Sequence, residues 1–292
     1  MRQPPEVTET ADDGPNLFAV SDLHVAHPEN RDVVADALHP SSAADWLIVA
    51  GDVAEVMTDI EWALGLLAER FARVIWAPGN HELWTVRDDP DQRRGLRRYE
   101  GLVELCRGIG VTTPEDPFPR WEGPGGPALV APLFVLYDYS FRAPGARTKE
   151  ESLAAAHRTG AVCTDEFLLH PDPFISVDEW CAARVRSTEE RLAACGRGVP
   201  LVLVNHFPLV REPTRVLRHP EFAQWCGTER TSDWHLRFPV EVVVYGHLHI
   251  PATHSYDGVR FEEVSLGYPR ERRSHRRPYG PMRRILPRTG VA

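Results

Sequence analysis

Short apolar runs that stop abruptly at a polar residue punctuate the chain, the pattern of buried strands delivering side chains to one edge of a sheet. Leu17 to Val20 precedes Asp22 and His24, Trp46 to Ala50 precedes Asp52, and Val74 to Ala77 precedes Asn80. Leu201 to Val204 leads into His206, and Val242 to Tyr245 leads into His247 and His249. Ala128 to Leu136 and Val259 to Leu266 read as two further strands. Amphipathic segments lie between the early runs, Asn30 to Leu38 and Asp59 to Phe71, the second with Ile60, Ala63, Leu64, Leu67 and Phe71 at helical spacing. Strands alternating with helices, then strands closer together, predict a layered α/β or α+β domain whose sheets are covered by helices.

Residues 137–198 break this rhythm. Aromatics and turn residues come first (Tyr137, Tyr139, Phe141, Pro144, Gly145), then a helical pattern around Asp178 to Cys195. An insertion is expected here, either a lid or substrate loop or a peripheral helical cap. The expected organisation is a disordered lead-in over 1–14, one domain over 15–269 carrying the insertion, and a basic tail over 270–292.

Hydrophobic residues at 42% and charged residues at 26% fit a folded protein rather than a disordered one. No apolar stretch approaches the roughly 20 residues of a membrane span, and the N-terminus lacks the apolar core of a secretory signal, so a soluble cytoplasmic protein is expected. Five cysteines without a CxxC pair argue against a disulfide framework or a thiolate zinc site. A net charge of −9 speaks against a nucleic-acid-coating surface. The chain from Arg270 onward reverses that sign, with eight arginines against one glutamate. It reads as a solvated tail, or as a device steering an anionic substrate.

Carboxylates, imidazoles and an amide, without thiolates, suit Mn, Fe or Zn ions, and a bridging carboxylate lets two such cations sit about 3.5–4 Å apart. Asp22-Leu-His24 and His247-Leu-His249 each place two donors on one side of an extended strand end, because side chains alternate with period two. Gly51-Asp52 and Gly79-Asn80-His81 put further donors straight after buried strands. His81 is suited to general acid chemistry near neutral pH. Each motif alone is weak, yet five occur in succession, each at the end of an apolar run.

Asp22-Leu-His24, Gly51-Asp52, Gly79-Asn80-His81-Glu82, Asn205-His206 and Gly246-His247-Leu248-His249 together resemble the calcineurin-like metallophosphoesterase family. The resemblance spans Asp22 to His249 and implies a four-layer αββα sandwich with two metal ions at the strand ends. Asp22, His24 and His249 would hold one ion, Asn80, His206 and His247 the other, and Asp52 would bridge them. A metal-bridging hydroxide would attack the phosphate ester, with His81 stabilising the phosphoryl oxygens or protonating the leaving group. The helical insert and the Leu266-Gly267-Tyr268-Pro269-Arg270-Glu271 segment resemble a bacterial branch that removes 4′-phosphopantetheine from acidic carrier proteins. A phosphomonoesterase and a non-catalytic protein-binding scaffold of the same fold are the alternatives.

Lesser features carry two readings each. Glu82 either orients the loop around His81 or forms a surface salt bridge. Glu55 and Asp59 either support metal-binding imidazoles or are acids at a helix N-terminus. His27 reads as a solvent-facing loop residue. Trp84, Tyr137, Tyr139 and Phe141 either line a pocket or pack in the core.

Overall fold

The computed structural model describes residues 14–274 and 280–288. The lead-in before Gly14, and Arg276 and Arg277 of the expected tail, lie outside the described residues. The elements run β1 (Leu17–Val20), α1 (Pro28–Ala37), β2 (Trp46–Val49), α2 (Met57–Arg70), β3 (Arg73–Trp76), α3 (Gly95–Gly108), β4 (Arg120–Trp121) and β5 (Ala128–Pro132). Residues 137–198 supply α4 (Lys149–Thr159), α5 (Asp165–Leu168) and α6 (Val177–Ala194). The chain continues with β6 (Leu201–Val204), α7 (Trp234–Arg237), β7 (Val240–Tyr245), β8 (Ala252–Tyr256), β9 (Val259–Glu263), α8 (Pro269–Ser274) and β10 (Arg283–Leu286).

Two sheets form, ordered β10-β1-β2-β3 and β4-β5-β6-β7-β9-β8. Their central pairs are parallel, and β10, β4 and β8 are antiparallel edges. Strand alternation then divides the apolar residues between two environments. Leu17, Ala19, Ile48, Ala50, Ile75 and Ala77 of the first sheet pack against Ala128, Val130, Val202, Val204, Val242 and Val244 of the second. The intervening Val20, Leu47, Val49, Val74, Trp76, Leu203 and Val243 join the helix-facing core with Ile60, Leu64, Leu67, Leu102, Trp180 and Val185. Both faces of each strand are therefore apolar, which is why the strands appear in the sequence as continuous runs. The result is the expected sandwich of two sheets flanked by helices.

The C-terminal segment departs from the expected tail. Ile285 and Leu286 are fully buried, and β10 pairs with β1 through Leu17↔Leu286 and Ala19↔Arg283. Two apolar residues complete the inter-sheet layer, while their basic neighbours find acids, Arg283 lying 3.5 Å from Glu262. A count of arginines hides this, because the strand signal is only two apolar residues long.

Candidate metal centre

The parallel strands β1, β2, β3, β6 and β7 all end at the same edge, and each hands its loop a donor side chain. Asp22, His24, Asp52, Asn80, His206 and His247 are at most 4% exposed or lie at the floor of a cleft. Donor atoms of Asp22, His24 and His249 gather within 4.8 Å of one another, and those of Asp52, His206 and His247 do the same. Asp52 also joins His24 and His81 in a third such group, so its carboxylate touches both sets.

The shared-strand explanation for the paired donors is corrected by the backbone. Asp22, His24, Asp52, His247 and His249 all have positive φ, between 43° and 69°. These residues are not extended. Each left-handed non-glycine residue costs about 1–2 kcal/mol, and they make up five of the seven among the described residues. The strain is held by hydrogen bonds between loops: Asp22 N bonds Gly51 O at 2.9 Å and His24 N bonds Asp52 O at 3.1 Å within the first sheet, and Gly267 N bonds Asp22 O at 3.1 Å across to the second. Concentrated strain of this kind is characteristic of functional sites. Two glycines are demanded by close approach, since a Cβ on Gly79 would collide with the Asp52 carboxylate and one on Gly246 with Ser21 and Asp22.

Hydrogen bonds fix which atoms face inward. His206 Nδ1 donates to Ala50 O at 2.9 Å, and His249 Nδ1 donates to Glu271 Oε2 at 2.6 Å, so each turns Nε2 to the centre. His24 Nε2 then lies 3.2 Å from His249 Nε2, and His206 Nε2 3.3 Å from His247 Nδ1. Asp22 Oδ2 is taken by the hydroxyls of Ser21 (2.6 Å) and Ser265 (2.7 Å), leaving Oδ1 towards His249 Nε2 at 2.9 Å. Asn80 Oδ1 is buried with no hydrogen-bond partner. An unpaired amide oxygen and clustered imidazole nitrogens are costly in a protein interior unless a cation satisfies them. The residues therefore fit a dinuclear centre, and the absence of thiolates fits Mn, Fe or Zn ions.

Electrostatics follow the same division. Burial disfavours the Asp22 and Asp52 carboxylates, but His249 and His206 respectively outweigh it and hold both well below the usual range. Burial works against a charged His206 too, yet Asp52 pushes it up to about 10. Burial and then the neighbouring His206 press His247 down to about 3.

His81 sits at the edge of the cluster, its Nε2 3.7 Å from Asp52 Oδ2. Its Nδ1 is 2.7 Å from Glu55 Oε1. A carboxylate only accepts, so Nδ1 carries the hydrogen and Nε2 is the working atom. Burial lowers its basicity, but Asp52 and Glu55 together raise its pKa above the ordinary value. Trp84 covers the ring, centroids 3.7 Å apart. A cavity of about 270 Å³ opens over Asp52, Asn80, His81, His247 and His249, walled by Trp84, Phe222, Tyr268 and residues 162–164.

Several expectations resolve. Glu82 forms no surface salt bridge: it is fully buried and accepts from the N–H groups of Asp52, Val53 and Gly79 and from Trp76 Nε1 at 2.9–3.2 Å. Glu55 supports His81, whereas Asp59 pairs with Arg31 at 2.8 Å, away from the donors. His27 is exposed and touches only the edge of Tyr268 among aromatic rings. Trp84 lines the cleft, but Tyr137, Tyr139 and Phe141 are buried in the core. Arg272 donates to Asn30 on α1, whereas Arg273 pairs with Glu29 in the open, as a solvated residue would.

Three supporting residues were not singled out from sequence. Glu271 anchors His249, Tyr268 stacks on His24 with centroids 4.4 Å apart, and Asp165 accepts from Asn80 Nδ2 at 2.9 Å. Tyr268 and Glu271 lie in the segment that carries the likeness to the bacterial branch, a likeness that assigns no role to either side chain. Asp165 carries no local signal, because its partner is 85 residues away.

Residues 15–251 match the calcineurin-like phosphoesterase family. The chain is 56% identical over 279 residues to the acyl-carrier-protein phosphodiesterase PptH of Mycobacterium tuberculosis, a match covering 96% of this chain and 86% of that one. It also superposes on the crystal structure of phosphopantetheinyl hydrolase from Mycobacterium tuberculosis with a TM-score of 0.94 and 54% identity, covering 96% and 99% of the two chains. Among the described residues no helix is long and apolar enough to cross a membrane. With the donor set at the strand ends, the two-sheet architecture and these matches in agreement, the chain is a metal-dependent phosphoester hydrolase and belongs to the calcineurin-like phosphoesterase family.

Proposed function

We propose that this enzyme cleaves the phosphodiester linking 4′-phosphopantetheine to a serine of an acyl carrier protein, using Mn, Fe or Zn ions. Asp22, His24 and His249 are assigned to one cation, Asn80, His206 and His247 to the other, with Asp52 between them. The observation that carries the assignment is the position of Asp52, whose carboxylate lies within one cluster with His24 and within another with His206 and His247. The substrate reading is supported by the likeness to a carrier-protein phosphodiesterase over almost the whole chain.

When bound, two cations supply Lewis acidity that makes water nucleophilic at neutral pH and offsets charge on the phosphoryl oxygens. The protein's own part is positional. The cleft opens over Asp52, where it would admit the phosphate, and Trp84, Val162 and Phe222 on its walls offer apolar contacts to the rest of the ester. His81, braced at Nδ1 by Glu55 and with its pKa raised by Asp52 and Glu55, is placed to give a proton from Nε2 to the leaving serine oxygen. His81→Ala is expected to lower kcat by roughly 10²–10⁴-fold while leaving two equivalents of metal bound, measured by turnover and elemental analysis on one sample. Full turnover in that variant with the carrier-protein substrate would remove the acid role.

The substrate test is an intact-mass measurement. Holo acyl carrier protein incubated with enzyme and Mn²⁺ is expected to fall to the mass of the apo protein, with release of phosphopantetheine. An unchanged carrier mass alongside rapid hydrolysis of p-nitrophenyl phosphate would replace the diester reading with a phosphomonoesterase. No activity and well under one equivalent of metal would favour a scaffold.

A further inference from the structure

A ligating asparagine has an ambiguity that a carboxylate or imidazole lacks. Its amide must turn oxygen to the cation and NH₂ away, and the reverse orientation puts hydrogens where a lone pair is required. Among the described residues Asn80 makes one side-chain hydrogen bond, from Nδ2 to Asp165 Oδ1 at 2.9 Å, and its buried Oδ1 has no partner.

We infer that Asp165 is a positioning residue that selects the amide orientation of Asn80, so that the insertion completes the second cation site. The selection rests on simple donor chemistry. Trp84 Nε1, which can only donate, bonds the same Asp165 Oδ1 at 2.7 Å. That oxygen is therefore an acceptor, and an acceptor at 2.9 Å takes an amide NH₂ and repels an amide oxygen. The Asp165 carboxyl is buried to 1% exposure, so no water competes for the place.

The element that carries Asp165 is itself held from both sides. Glu166 accepts from Tyr139 Oη at 2.9 Å and Trp225 Nε1 at 2.7 Å, and Thr85 N bonds Leu168 O at 3.0 Å. These contacts tie α5 to the loop after β3 and to the segment bearing Phe222. Residues 162–164, immediately before Asp165, form one wall of the cleft. A substrate seated against that wall thus bears on the segment that aims Asn80, which couples substrate contact to the geometry of the second cation.

The inference rests on Asn80 being a ligand of the second cation, and that reading is checked separately by whether the wild-type apo protein binds two Mn²⁺ in a calorimetric titration. Asp165→Leu, matched in size but without an acceptor, is expected to weaken only the second Mn²⁺ step, by about 10–100-fold. Asp165→Asn, which keeps the Oδ1 acceptor, is expected to recover most of that loss. Wild-type binding by the Leu variant, equal weakening of both steps, or an Asn variant no better than Leu would each overturn the inference. A second measurement needs no disruptive variant. In the ¹H–¹⁵N spectrum of the wild-type apo protein, the Asn80 side-chain NH₂, assigned by its loss in Asn80→Ser, should show one downfield, slowly exchanging proton that moves in Asp165→Asn. A rapidly exchanging NH₂ with ordinary shifts would overturn it.

Discussion

Asp52→Asn is expected to lower turnover on the order of 10³-fold and to cut bound metal from two equivalents to one or fewer. The substitution preserves shape and removes charge. Asp52 Oδ1 accepts from His81 N at 3.0 Å, and Oδ2 faces His206 Nε2 at 3.2 Å. An amide offers one oxygen and one NH₂, so one of these two faces loses its acceptor. If the oxygen faces the His81 amide, NH₂ points at His206, where an opposing donor excludes a cation. If it faces inward, the buried His81 N–H loses its partner, and either way the charge that offsets two cations is gone. Elemental analysis after Mn²⁺ reconstitution, with kcat on the same sample, reads both effects. Two full equivalents of metal with near-normal turnover would mean that Asp52 does not bridge.

The second large effect is on stability. Glu82→Gln is expected to destabilise the protein by about 2–6 kcal/mol, because two buried donors lose their acceptor at about 1–3 kcal/mol each. The Glu82 carboxylate receives Asp52 N and Gly79 N on Oε2 and Val53 N and Trp76 Nε1 on Oε1. Glutamine turns one of those ends into NH₂, which meets donors head-on. At roughly 2–4 °C per kcal/mol for a chain of this size, the melting temperature should fall by on the order of 5–20 °C. A calorimetric melt of the apo protein checks this, and a shift of under one degree would show that the loops after β2 and β3 hold their shape without the carboxylate. The same residue then has a functional consequence, since its bonds fix the backbone of Asp52 and Gly79 on either side of the metal centre.

Residues that act through their own strand were legible from the chain. An apolar run buried on both faces, followed by a donor, marks a parallel strand and its C-terminal loop whatever the rest of the fold does, so the seven donors could be named before their distances were known. Residues that act through another residue were not legible. Glu55 was weighed against a helix-terminal acid, and only its 2.7 Å contact with His81 separates it from Asp59, which meets Arg31 instead. The three aromatics near residue 140 had the composition of a pocket and proved to be core, because exposure depends on what packs above them.

The sequence by itself carried the layered sheets and helices through periodic burial, and its five motifs after apolar runs carried the resemblance to the family and, with it, the proposed set of donors. Tertiary structure alone decided how the donors meet. The paired motifs converge through left-handed backbone at Asp22, His24, His247 and His249, not through strand alternation, and hydrogen bonds between neighbouring loops hold Asp22 and His24 in place. It also decided that the Asn80 NH₂ turns to Asp165, leaving Oδ1 free for the centre, and that the basic Arg283–Leu286 strand belongs to the fold. Hydrogen bonds spanning tens to hundreds of residues have no periodicity to announce them, because a single contact constrains only the two groups that make it.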